Sequence, residues 1–363
     1  MRLLELSLRD FRNVESVELS CDSDFVVLHG DNGQGKTNIL EAIGMLATLK
    51  SFRTHRRKEL IRWGCDSAMV EGQVESEGHK RLFRLEIEAE SRKATVDGKS
   101  PEKLSDYFRS IRAILFAPNH IEMVRGSPET RREFLDRAVF TLSPAYLDRY
   151  REFKRLQSQK SALLRSGWAD PIQLDILDEQ LAIAGARVSL RRSEFVEGIE
   201  VNFREMHERL TSNSDVSIRY RSSIGDGSVE ERAESYLELL RAQREESMER
   251  GWDTVGPQRD DLIIDLNDHK ARSFASQGQA RALVLALKLA ELEVVRSRGG
   301  QPLFLLDDLS SELDSLRRER LIDLIDDLNV QCFVTTTIPE LFEGRKGGDC
   351  ALLRVENGAV ESG

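Results

Sequence analysis

The octapeptide Gly30-Asp31-Asn32-Gly33-Gln34-Gly35-Lys36-Thr37 constrains this chain most, because it matches G-x-x-x-x-G-K-[ST] at every fixed position. A short apolar run, Phe25 to His29, precedes it, and a helical pattern from Asn38 to Leu49 follows. Strand, glycine-rich loop and helix in that order make a phosphate cradle. The glycines let successive backbone N–H groups curl around phosphate oxygens, and the helix N-terminus adds positive potential. Lys36 is then expected at the β- and γ-phosphates of a nucleotide, with the Thr37 hydroxyl on Mg²⁺.

Such a loop needs a metal-holding acid at the end of another buried strand. Leu303 to Leu306 form an apolar run ending in Asp307-Asp308. Asp307 is expected to hold Mg²⁺, directly or through water, and Asp308 to orient the attacking water. Thr335-Thr336-Thr337 ends a further strand and is a candidate for a phosphate contact.

A second polar knot, Ser276-Gln277-Gly278-Gln279, stands directly before the helical run to Glu293. Glycine inside a helix costs about 1 kcal/mol, which places the knot at the helix start. Ser276 lies 240 residues beyond Lys36 yet only 31 before Asp307. A Ser-x-Gly-Gln just upstream of the acidic strand resembles the signature motif of ATP-binding-cassette proteins. There the Ser hydroxyl and Gly amides bind the γ-phosphate held by a second subunit. Ser276, Gly278 and Gln279 are therefore candidate ligands supplied in trans, at an anion-binding helix N-terminus. The helix behind them is expected to be amphipathic, with Leu283, Leu287, Ala290 and Val294 in one stripe. Ser311-Glu312-Leu313-Asp314 sits where cassette ATPases carry a loop that crosses the dimer interface.

The alternation of Leu3, Leu4, Leu6 and Leu8 and of Phe83, Leu85, Ile87 and Ala89 predicts strands in the first 90 residues, around one helix. From Arg131 the period becomes helical, and the run Leu174 to Leu210 predicts one long helix. Strands return after Gly251 in "DLIIDL", "PLFLLDD", "VQCFVTTT" and "CALLRVENG". The expectation is an α/β fold: a phosphate-loop ATPase head of cassette type with a mixed sheet. Residues 1–119 and 252–363 form the head, and 120–251 form an inserted helical lobe or short coiled-coil arm.

With 40% hydrophobic and 32% charged residues, no apolar run reaches the roughly 18–20 residues of a membrane helix. The four cysteines are scattered without a C-x-x-C pair, which argues against zinc or a disulfide framework. A cytoplasmic protein with no membrane partner is expected. The net charge of −10 excludes a uniformly basic nucleic-acid binder but not a local patch.

Taken together, "LSLRDFRNVESVEL", "GDNGQGKTNILEAI", "LKSFR", "LFAPNHIEMVRGSPETRREFLD", "GPQRDDL", "FASQGQARALVLALKLAE" and "LLDDLSSELD" resemble the RecF family of recombination mediators. This family is related to SMC-type head ATPases, and the resemblance spans nearly the whole chain. The segments "RGSPETRREFLD" and "GPQRDDL" and the Asp307-Asp308 doublet are its most diagnostic parts. Two departures show: Asn119-His120 replace the usual acidic pair, and Gln258 stands where a His usually precedes Arg-Asp-Asp. Both segments are expected to border the nucleotide or the lobe interface.

The resemblance implies an ATP-dependent homodimer that binds single-stranded or gapped DNA and helps load recombinase RecA, working with RecR and RecO. It implies slow, DNA-dependent ATP hydrolysis that resets the clamp. Arg12 and Asn13 resemble residues that approach the nucleotide in SMC-type heads.

Lys50 to Trp63 carries a net +5 through Lys50, Arg53, Arg56, Arg57, Lys58 and Arg62, which makes it the best candidate DNA patch. Residues 121–200 hold 13 basic and 13 acidic residues, so only a one-sided stripe through Arg149, Lys154, Arg155 and Lys160 could bind DNA there. Two rival readings fit less well. A transporter subunit usually places its signature little more than a hundred residues after the phosphate loop. A chromosome-structural head needs a longer arm.

Overall fold

The computed structural model describes residues 1–166, 170–212, 215–309, 314–342 and 349–362. The chain divides into two compact units, one of Met1–His120, Glu205–Asn213 and Gln277–Gly363, the other of Ile121–Arg204 and Ser214–Ser276.

The first unit holds two sheets. Strands β1 (Arg2–Phe11), β2 (Val14–Ser20), β4 (Ser67–Ser76), β5 (His79–Glu88) and β6 (Arg92–Val96) form an antiparallel sheet in the order β2-β1-β4-β5-β6. β4 and the second half of β5 alternate buried positions with more open ones, as a sheet with one covered face requires. Strands β3 (Phe25–His29), β7 (Ala113–Phe116), β11 (Leu303–Leu306), β12 (Cys332–Thr336), β13 (Cys350–Glu356) and β14 (Ala359–Ser362) form the other, ordered β14-β13-β3-β12-β11-β7. Its four inner pairings are parallel, and only β14 runs antiparallel. β11 and β12 are buried along their whole length, which is why they read as continuous apolar runs rather than alternations. Helix α1 (Lys36–Thr48) follows the phosphate loop directly.

In the second unit, α2 (Pro128–Leu142), α3 (Tyr146–Arg165) and most of the long helix α4 (Pro171–Thr211) accompany a three-stranded sheet. At 41 residues α4 is about 60 Å long. The sheet order is β10-β9-β8, with β8 (Val216–Arg221), β9 (Asp261–Leu266) and β10 (His269–Lys270) antiparallel. The expected return to the head at 252 thus falls too early. Residues 252–276 stay with the second unit because β9 pairs along its length with β8, a strand the sequence reading passed over.

Helix α5 (Gln277–Ser297) begins at the polar knot, as expected, but it is not amphipathic. Fourteen of its residues are buried, around the whole circumference, and Lys288 and Glu291 are buried as a pair 3.0 Å apart. Helix α6 (Ser315–Leu328) follows, capped by Asp314, whose carboxylate accepts from Arg317 N. Ser311, Glu312 and Leu313 lie outside the described residues. No described helix is long and apolar enough to cross a membrane.

Candidate functional site

Three adjacent parallel strands, β3, β12 and β11, end side by side, and each delivers one part of the site. β3 runs into the phosphate loop, β12 ends in Thr335-Thr336, and β11 is followed at once by Asp307-Asp308. Ligand sites in open parallel sheets lie at these carboxyl ends.

The loop takes the backbone path that its glycines permit. Gly30 has φ +141, and a Cβ there would stand 2.4 Å from Val355 O. Gly35 has φ +114, and a Cβ would meet the Asn13 side-chain oxygen at 2.9 Å. No other residue fits either position without displacing backbone or side chain. Asp31, Asn32 and Gly33 are exposed at the tip. Lys36 is buried, and its Nζ donates to Gly30 O (2.5 Å) and Asp31 O (2.7 Å). Burial lowers the Lys36 pKa, while Asp308, Asp31 and Asp307 oppose that shift.

Asp307 Oδ1 accepts hydrogen bonds from Thr37 Oγ1 (2.8 Å) and Thr335 Oγ1 (2.9 Å). Burial raises its pKa, against which the two hydroxyls stabilise the ionised form. Thr335 also accepts from Asp308 N at 2.7 Å. Asp308 itself adopts φ 55, a left-handed conformation unusual for a side-chain-bearing residue and common at functional sites. The structure thus gives Thr335 a defined task, holding both acids. Thr336 instead turns its hydroxyl toward Ile338 O.

A hydroxyl and a carboxylate are hard oxygen ligands that suit Mg²⁺. Their 2.8 Å separation matches the spacing of about 2.9 Å between neighbouring oxygens of an octahedral Mg²⁺ with metal–oxygen distances of 2.0–2.1 Å. The residues present therefore fit the ion.

Arg12 and Asn13 form the tight turn between β1 and β2 and reach the phosphate loop and α1. Arg12 donates twice to the fully buried Glu41 of α1 (2.7 and 2.9 Å) and once to Glu59 O (2.8 Å). Asn13 donates to Gln34 O (3.3 Å) and accepts from Asn38 Nδ2 (2.7 Å). Sequence reasoning missed Glu41, although an acid inside the apolar run Ile39 to Leu49 was a usable signal.

Arg53 also converges here, donating to Asn38 Oδ1 (2.6 Å) and approaching Glu41 (3.4 Å). The basic patch is consequently less uniform than its +5 suggested. Arg57 donates to Ala89 O and Glu90 O, Arg62 pairs with Asp10 and Glu15, Arg56 lies 3.6 Å from Glu59, and Lys58 is exposed. The stripe on α3 loses a member as well. Lys160 is buried, with Asp178 and Asp253 each 2.5 Å from its Nζ.

Ser276 immediately precedes α5, and Gly278 and Gln279 lie in its first turn. A Cβ on Gly278 would meet only Arg317 Nη1, at 3.4 Å.

The segments "RGSPETRREFLD" and "GPQRDDL" meet each other inside the second unit. Arg131 binds Asp261 through two bonds (2.6 and 3.1 Å), and Arg132 donates to Asp260 O. Arg192 of α4 binds Asp136 (2.8 and 2.9 Å) and Pro257 O (2.7 Å). Asp260 accepts from Ser223 and from the Tyr220 hydroxyl. Gln258 donates to Val255 O, and the ring of His120 accepts from Ala117 N.

Fold and site define the class: a phosphate-loop ATPase head with an inserted helical unit. Residues 2–357 match the model of the RecF/RecN/SMC N-terminal domain. "DNA replication and repair protein RecF" of Geobacter sp. (strain M21) is 39% identical over 364 residues, covering 99% of this chain and all of the relative. The protein of the same name in Myxococcus xanthus (strain DK1622) is 40% identical over 99% of this chain and 97% of its own. The solved structure of "the recombination mediator protein RecF-ATP in RecFOR pathway" superposes with a TM-score of 0.89 at 27% identity, over 99% of this chain and 98% of the other. An SMC head bound to the C-terminal winged-helix domain of ScpA shares the fold at a TM-score of 0.57 and 15% identity, over 99% and 96%. This chain belongs to the RecF family of DNA replication and repair proteins.

Proposed function

We propose that the chain is an ATP-driven DNA clamp. It binds ATP·Mg²⁺ in the loop 30–37, dimerises through the nucleotide, holds single-stranded or gapped DNA, and hydrolyses ATP slowly to release it. In recombinational repair it would act with RecR- and RecO-like partners to assist the loading of recombinase RecA.

The observation that carries this reading is the Thr37–Asp307–Thr335 hydrogen-bonded triplet beneath the loop, joining three strand ends. Backbone amides of Gly33 to Thr37 would wrap the phosphates, and Lys36 would exchange its two carbonyl partners for β- and γ-phosphate oxygens. Thr37 and Asp307 would hold Mg²⁺, which would supply positive charge to offset the charge that develops on the phosphates. Asp308, fixed through its amide by Thr335, would orient the attacking water. Ser276 and the amides of Gly278 and Gln279 would complete the γ-phosphate shell of a second copy. Within the basic patch, Lys58 and Arg56, the latter beside Glu59, suit phosphate contacts best, while Arg53, Arg57 and Arg62 are held by protein groups.

Sedimentation of the wild type and Lys36→Arg, with and without ATP·Mg²⁺ and gapped duplex, tests the proposal. ATP-induced dimers that bind gapped DNA more tightly, and that persist when hydrolysis is blocked, are expected. A monomer under all conditions would sink the trans mechanism.

A further inference from the structure

The hairpin β13–β14 does more than extend the sheet. β13 pairs in parallel with β3 up to Arg354↔His29, so it runs beside the strand that feeds the phosphate loop. Its tight turn, Asn357-Gly358, then meets the loop itself. Asn357 N donates to Gln34 Oε1 at 2.7 Å, and Gly358 N donates to Gln34 O at 2.8 Å. One loop residue is thereby held through both its side chain and its main chain by two consecutive amides. Turn residues Asn357 and Gly358 both have positive φ (51 and 81), the geometry that directs successive amides to one side.

Two close approaches make the fit specific. A Cβ on Gly358 would stand 2.6 Å from Asn13 O, and one on Gly30 would stand 2.4 Å from Val355 O. The hairpin therefore touches the loop at its first glycine and at Gln34, next to Gly35 and Lys36, and also the Asn13 turn behind it. Both amides are spent on the loop.

We propose that the β13–β14 turn is a positioning element for nucleotide binding. It fixes Gln34 so that the amides of the following residues are already aimed, and the loop does not pay for that ordering when the phosphates arrive. Residues Gln34, Asn357 and Gly358 act through the loop rather than on the ligand. The inference rests on the reading of loop 30–37 as the ATP site.

The test measures the affinity of a non-hydrolysable ATP analogue alongside thermal stability. Gln34→Leu removes the side-chain acceptor at similar size, Gly358→Val drives the turn off Asn13, and Asn357→Gly keeps both the amide and the positive φ. Gln34→Leu and Gly358→Val are each expected to weaken binding about tenfold, equivalent to about 1.4 kcal/mol. The double variant should be no weaker than the worse single, because displacing the turn already removes the side-chain contact that Gln34→Leu deletes. Asn357→Gly should bind like the wild type, and melting of Gln34→Leu should stay within a few degrees. Wild-type affinity in Gln34→Leu, or losses that multiply in the double variant, would overturn the proposal. Lys36→Ala separates the two claims: if it too binds like wild type, the site assignment fails, whatever the turn does.

Discussion

Two polar regions of this molecule are built on opposite plans. Around the phosphate loop, backbone supplies much of the chemistry. Glycines hold conformations closed to other residues, and the tip at Asp31, Asn32 and Gly33 lies open. In the second unit, Arg131, Asp136, Arg192, Asp260 and Asp261 form an ion lattice in which each charge is matched by another or by hydrogen bonds. Four of the five are buried. An exposed loop tip can receive a ligand, whereas a closed lattice fixes a shape. The segments "RGSPETRREFLD" and "GPQRDDL" serve the second purpose.

The comparison breaks most visibly in stability. Arg192→Met would leave Asp136 and Asp260 uncompensated, and breaking such a buried pair costs about 3–5 kcal/mol. A urea titration should show that loss, while nucleotide affinity of the folded fraction stays at the wild-type level. Weakened affinity with unchanged stability would mean that the lattice is itself a ligand site.

A smaller effect, of opposite kind, is expected at the open site. Thr335→Val keeps the shape but removes the donor to Asp307 and the acceptor for Asp308 N. Losing such bonds costs about 1–3 kcal/mol, so hydrolysis should fall roughly ten- to a hundredfold with little change in ATP affinity. Steady-state turnover beside equilibrium binding separates the two, and unchanged turnover would remove Thr335 from the machinery.

Much of the site was legible because the motif fixes both composition and local geometry. A glycine at 30 or 35 reports a backbone constraint, and an acid after the run Leu303 to Leu306 reports a strand end. What stayed hidden depends on distant pairing. Thr335 reads as a candidate phosphate contact, and its hold on Asp307 and Asp308 shows only once β12 is set between β3 and β11. Lys160 reads as surface charge until Asp178 and Asp253 enclose it. The stripe in α5 misled because a buried helix and an amphipathic one share the same apolar spacing, and only its neighbours decide. Gln34 reads only as a member of the loop, since the main-chain amides of Asn357 and Gly358 that hold it lie more than three hundred residues away.

The central claim, that loop 30–37 of one copy is completed by Ser276 of another, has a direct test. Lys36→Ala and Ser276→Arg are each expected to lack ATPase activity, the first without ATP binding and the second with it. Mixed together, they should regain activity that neither has alone, because a mixed dimer contains one site with an intact loop and an intact Ser276. A mixture as inactive as its components would contradict a shared site and return Ser276 to the service of its own chain.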